Sequence, residues 1–157
     1  MFHLIPAPLH RALYRAGHGL RRIFLRHLAG EVHGCCIIGR DPDGSVLLVR
    51  HSYGPPVWAF PGGGMRQGED ALAAALRELR EELDCTLHDP VHLGVQRNEF
   101  LGSINHVRVV TGQVAGVPTP DMREVVEARF FPLDALPENR SRTVHKRLAM
   151  LVVADEG

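Results

Sequence analysis

Residues 62–85 read GGGMRQGEDALAAALRELREELDC, and this stretch decides how the rest of the chain is read. Three glycines in a row follow Pro61. Without a Cβ such a loop approaches a ligand closely and adopts backbone conformations closed to other residues. It can aim carbonyl oxygens at a cation or amides at a phosphate. From residue 71 the pattern turns helical and runs to residue 83. At about 100° per residue, Leu72, Leu76, Leu79 and Leu83 fall close to one line, which predicts the buried stripe. Glu78, Glu81 and Glu82 share another face at i, i+3 and i+4, with Ala71, Ala74 and Ala75 on that side one or two turns earlier.

Three carboxylates on adjacent turns repel one another, and they sit at the helix end least suited to negative charge. Arg77 and Arg80 offset part of this. A divalent cation offsets more, and hard oxygen ligands suit Mg²⁺ or Mn²⁺. A glutamate run of this kind also occurs on plain solvated helix faces. The distance between glycine loop and carboxylates decides between the two readings.

Gly63 is followed after five residues by Glu69, and after seven more by Arg77, Glu78, Leu79, Arg80, Glu81 and Glu82. This spacing resembles the Nudix hydrolase family, whose box reads G-x5-E-x7-R-E-U-x-E-E-x-G-U with U a bulky aliphatic residue. The box covers 23 of 157 residues. Flanking segments extend the likeness to roughly residues 31–137: GSVLLVRH, the W-x-F-P-G-G-G entry and EARFFPLDALP. Two positions depart. Asp84 replaces the glycine that ends the helix left-handed, and Cys85 replaces the last aliphatic residue. Neither is an expected metal ligand.

The resemblance implies an α+β fold, an α/β/α sandwich with a mixed β-sheet between helices. It implies hydrolysis of a diphosphate bond in a nucleoside-diphosphate-linked small molecule, with Mg²⁺ or Mn²⁺ as cofactor. Glu78, Glu81 and Glu82 become the metal carboxylates, joined by the Gly62 carbonyl. Gly63, Glu69 and Arg77 become supporting residues, with the arginine fixing the rotamers of the glutamates. Glu124 best matches a general base outside the box, with Glu99 and Glu127 as rivals. Arg50, at a strand end, is expected to meet substrate phosphate. Trp58 is expected in the core more than stacked on a base. Markers of two substrate subfamilies fall at Leu101 and Ser103 and are absent, so the substrate is not named. A binding or sensing module without turnover and an enzyme acting on capped RNA are the alternatives.

Around the box, strands are expected over 31–39 and 45–50, joined by a tight turn at Asp41–Gly44, and over 57–60, 91–98, 104–115 and 126–131. A last helix is expected over 141–153. Residues 9–28 read as a basic helix, interrupted at Gly17 and Gly19, which makes residues 1–30 an extension ahead of a domain over 31–157. That extension makes a homodimer an option.

Composition agrees with a globular domain, with 45% hydrophobic and 23% charged residues. The 18 basic and 18 acidic residues give no basic excess, so no nucleic acid is expected as partner. Cys35, Cys36 and Cys85 show no zinc spacing and read as free thiols of a cytoplasmic protein. No stretch reads as a secretory signal or a membrane span.

Overall fold

The computed structural model describes residues 30–157, except Leu101 and the side chain of Phe100. The helix expected over 9–28 lies outside the described residues. Strand β1 (Glu31–Arg40) and strand β2 (Val46–His51) are joined at the turn expected from Asp41 to Gly44. Asp41 makes that turn: its carboxylate accepts the amides of Asp43 at 3.0 Å and Ser45 at 2.9 Å. β1 and β2 pair only beside the turn, at Arg40 and Val46. Farther along β1, the short strand β3 (Gly62–Gly64) takes over, pairing with residues 34–36.

The helix α1 (Ala71–Leu83) follows, then the long hairpin β4 (Thr86–Phe100) and β5 (Ser103–Ala115), strand β6 (Val125–Phe131) and helix α2 (Thr143–Asp155). The sheet order is β4-β5-β1-β2-β6, with β3 on β1. β1 and β5 run parallel; the other pairs are antiparallel. Alternation sends Ile37, Leu47, Val49 and Val110 to a core beneath Ala75, Leu79 and Leu83 of α1. Ile38, Val46, Leu48 and Val109 go to the other face, with Trp58, Phe60 and the α2 residues Val144 and Leu151. A mixed sheet between two helical layers is the architecture expected.

Three local readings change. The strand expected over 57–60 is reduced to isolated bridges at Trp58 and Ala59. Pro56 and Pro61 flank it and cannot donate to a ladder. The strand expected from residue 91 begins at Thr86. Asp89 at φ 50° and a register shift between His88 and Val91 absorb Pro90 within an edge strand, where proline is tolerated. The buried stripe of α1 is also turned from the leucine line. Leu72 and Leu76 are only partly buried, while Ala71, Ala74, Ala75, Glu78, Leu79, Glu82 and Leu83 are buried. The alanines let the helix lie close, and that closeness carries two of the three glutamates inward.

α1 is capped at both ends. Asp70 accepts the Ala73 amide at 3.1 Å at its start. Asp84 ends it at φ 53°, ψ 38°, with its amide donating to the Arg80 carbonyl at 3.0 Å. An aspartate there carries left-handed strain and a negative charge at the wrong end of the helix dipole. Asp84→Gly should therefore stabilise the domain by about 0.5–1 kcal/mol and raise Tm by about 2–4 °C. Calorimetry checks this, and a lowered Tm would show that the aspartate is not strained.

Candidate active site

The glycine loop is pressed between β1 and α1. A Cβ on Gly62 would run into the backbone carbonyl of Cys35, and one on Gly63 would stand 2.6 Å from the Glu78 carboxyl. These two positions need glycine because strand, loop and helix meet there.

Arg77 braces the loop against the helix. Its Nε and Nη2 donate to the two oxygens of Glu69 at 2.7 and 3.0 Å, a bidentate pair. Nη2 also donates to the Gly64 carbonyl at 3.0 Å, and Nη1 to Glu78 Oε1 at 2.8 Å. The Arg66 amide donates to Glu69 at 2.9 Å. The Arg77 hydrogen bonds, joined by that amide, pull the Glu69 carboxyl down to about 2. The Glu69 bonds in turn raise the affinity of Arg77 for its proton. Glu69, Arg77, Glu78 and the Gly64 carbonyl thus form one connected brace, with Gly63 close against Glu78.

The three box glutamates part ways. Glu81 is half exposed and stands at 3.5 Å from Arg77 and 3.7 Å from Arg66. Glu78 is 7% exposed and Glu82 only 2%. Burial raises the Glu78 carboxyl, against the pull of Arg77. Burial raises Glu82 much further, helped by the charges of Glu78, Glu124 and Asp121 and opposed weakly by the Gly62 amide. The Gly62 amide bears on Glu82 from outside full hydrogen-bond geometry, which neither carboxylate oxygen meets with any donor among the described residues. A buried carboxylate without partner is costly, and proteins resolve it by neutralisation or by a cation. Among the described residues no three His, Cys, Asp or Glu side chains gather closely enough to cage a metal ion. Two inward carboxylates nevertheless fit Mg²⁺, which keeps several waters and binds through one or two carboxylates plus substrate oxygens.

Of the three rivals outside the box, Glu124 acts on both Glu78 and Glu82. Glu127 is engaged by Arg50 at 3.2 Å, and Glu99 is exposed on β4. Asp121 builds the turn that holds Glu124: its Oδ1 accepts the amides of Arg123, Glu124 and Val125 at 2.9–3.0 Å. The same segment covers the end of α1, with the Thr119 and Asp121 amides donating to the Leu83 and Glu82 carbonyls at 2.8 and 2.9 Å. The sequence reading missed Asp121. Its signal was the Asx-turn chemistry of Pro120-Asp121 ahead of a strand.

Arg50 is not brought to the box. It stands 5.9 Å from the centre of the Trp58 ring, on the face shared with Val46 and Leu48, while α1 covers the other. Trp58 is buried and meets Phe131 edge-on at 4.9 Å, as expected of a core residue. The three cysteines are free thiols, and all are buried. Among the described residues no helix is long and apolar enough to cross a membrane.

Of the three shifted glutamates, Glu69 acts on stability oppositely to Glu78 and Glu82. The raised carboxyl of Glu82 contributes stability fully present below its unfolded value of 4.5 and lost as pH rises through its folded value. Glu69, held near 2, contributes stability present above 4.5 and lost as pH falls towards 2. In chelator, Tm should thus decline from mildly acid to alkaline pH, and Glu82→Gln should flatten that decline. Thermal scans from pH 5 to 9 test it; an equally steep decline in the variant would remove Glu82 as its cause.

Comparison with known proteins agrees with this geometry. The chain is 31% identical over 99 residues to the NAD-capped RNA hydrolase NudC of Stutzerimonas stutzeri, covering 60% of this chain and 34% of that protein. It is 53% identical over 47 residues to an RNA pyrophosphohydrolase of Caulobacter vibrioides, covering 29% and 27%. The chain thus spans about a third or less of the length of these relatives. The crystal structure of a MutT NUDIX hydrolase from Burkholderia pseudomallei superposes with a TM-score of 0.70 at 24% identity, over 77% of this chain and 98% of that one, a likeness of fold. The NUDIX domain model matches residues 32–151, from the first residues of β1 into α2 and across the whole braced loop and helix, so the chain belongs to the NUDIX family of hydrolases.

Proposed function

We propose that the protein hydrolyses a diphosphate bond in a nucleoside-diphosphate-linked substrate, with Mg²⁺ as cofactor and Mn²⁺ as a substitute. The observation that carries this reading is the buried Glu82 carboxylate, left without a hydrogen bond beside Glu78 and the glycine loop. Glu78 and Glu82 supply the inward ligand oxygens, Glu81 the exposed one, and Gly62 its carbonyl. An ion held there would neutralise diphosphate charge and would make a bound water a stronger nucleophile at neutral pH.

The chain's own residues do the rest. Arg77 holds Glu78 in one rotamer and ties the loop to the helix, so that the ligand oxygens are positioned before substrate arrives. Glu124, steadied by the Asp121 turn, accepts the proton of the water as it attacks phosphorus. The new P–O bond forms as the bridging P–O bond breaks, and the leaving phosphate carries away the bonding electrons. Positioning and charge stabilisation supply most of the rate in such chemistry.

The test is a panel of nucleoside triphosphates, nucleotide sugars, dinucleoside polyphosphates and ADP-ribose with Mg²⁺, scored for released phosphate or nucleotide. Two relatives are named as RNA hydrolases, so 5′-capped and 5′-triphosphorylated RNA belong in the panel. At least one member should be cleaved, and chelator should abolish cleavage. Glu82→Gln should lower kcat on the order of 10²–10³-fold with the fold intact, the loss seen when one charge-stabilising group is removed. Ion-dependent nucleotide binding without any turnover would instead make the protein a sensing module. A Glu82→Gln variant with near wild-type kcat would refute the ligand assignment.

A further inference from the structure

An open groove of about 620 Å³ lies beside the glycine loop, between residues 64–69 and the first residues of β1. Its volume suits a small ligand. The lining residues that give it chemical character are His33 and Arg108, with His106 stacked behind His33, and none belongs to the box.

His33 and His106 stand opposite each other where β1 and β5 run parallel. Their rings stack at 5.2 Å with 15° between planes. Arg108 Nη1 lies 3.1 Å from His33 Nδ1 and 3.7 Å from the Met65 sulfur. A guanidinium has no acceptor, so the His33 Nδ1 is the accepting atom of that contact. Arg108 is half-buried, and no carboxylate partners it among the described residues. The groove therefore joins an exposed imidazole, a second ring behind it, a thioether and an unneutralised cation. Glu31 at the rim stands 3.6 Å from His106 Nε2, and Glu69 is paired with Arg77.

The groove also lies on the right face. His33 follows the alternation of Cys35 and Ile37, and His106 and Arg108 that of Val110, so all face the α1 side of the sheet. Cys35 feels the charge of Glu78. His33 is two residues back along the strand, about 6.6 Å. A substrate with its phosphorus at Glu78 and Glu82 has its attached group within reach of the groove.

We propose that this groove seats the nucleobase of the substrate, stacked on the His33–His106 pair, with Arg108 holding the negative charge of the adjoining phosphate. The inference rests on the diphosphate-hydrolase reading above. His33 and His106 thus select ring-bearing diphosphates over bare ones, while Arg108 holds the phosphate of either.

Two probes test it with Mg²⁺ present: the α,β-methylene analogue of ADP and ring-free methylenediphosphonate, their Kd values read by calorimetry. His33→Leu and Arg108→Gln should weaken the ADP analogue about ten-fold or more. His33→Leu should leave methylenediphosphonate within about two-fold, whereas Arg108→Gln, which removes a phosphate contact, should weaken it as well, both with unchanged circular dichroism. In the wild-type protein, the His33 and His106 ring resonances should shift with the ADP analogue and not with methylenediphosphonate. That measurement stands even if a variant fails to fold. Unmoved histidine resonances on binding of the ADP analogue, or folded variants with wild-type Kd for it, would overturn the groove assignment. Absence of hydrolysis across the substrate panel would instead sink the diphosphate-hydrolase reading, a result obtained separately from these resonances.

Discussion

Arg77 spends one guanidinium on four groups: both oxygens of Glu69, the Gly64 carbonyl and Glu78. No helix position, loop residue or strand alone could hold the glycine loop at that distance from the carboxylates. The contact depends on Gly63, since a methyl group there would collide with the Glu78 carboxyl. It depends also on β3 being locked to β1, with the Met65 amide donating to the His33 carbonyl at 3.0 Å and the Ile37 amide to Pro61 at 2.9 Å. The fold thus converges on one requirement. A charged helix face must lie against bare backbone, and an arginine must keep it there.

The consequence is an electrostatic tension around Glu82. Glu82 is buried without a partner, next to Glu78 and within the field of Glu124 and Asp121. Paired neutralisation accounts for Glu69 and Glu81, which meet arginines, and leaves Glu82 out. Uncompensated charge at such a place is what a stability-driven sequence avoids, and active sites tolerate it because a ligand relieves it. The segment from Thr119 to Val125 belongs to the same arrangement. It satisfies the last carbonyls of α1 and holds Glu124 through the Asp121 turn, so helix end and candidate base are fixed by one loop.

Helix α1 shows how local rules and tertiary contact divide the work. Its limits agree with the pattern read from the sequence, because period, capping aspartate and left-handed Asp84 are all local properties. Its orientation does not follow the leucine line. Leu72 and Leu76 end up half-buried because the alanine side approaches β3 and β1 more closely than a leucine side could. Whereas β3 was read as loop, strands β1, β2, β5 and β6 were likewise legible in the sequence. The bulge at Asp89–Pro90 was not, since an edge strand's tolerance of proline depends on having no partner on that side.

By itself the sequence determined the chemistry available: a glycine loop, an arginine and glutamates at fixed spacing, and hence the family and its layered fold. Local geometry and residue type carry that information, so a single chain suffices to read it. The tertiary structure decided which glutamates are buried and which stays in water. It brought Glu78 and Glu82 within the field of Glu124, paired Glu127 with Arg50, and turned Arg50 to the face of Trp58. It also set His33 against His106, 73 residues apart, across a parallel strand pair. Such juxtapositions depend on how strands are ordered and how closely a helix can approach a sheet, and the spacing of residues along a chain encodes neither.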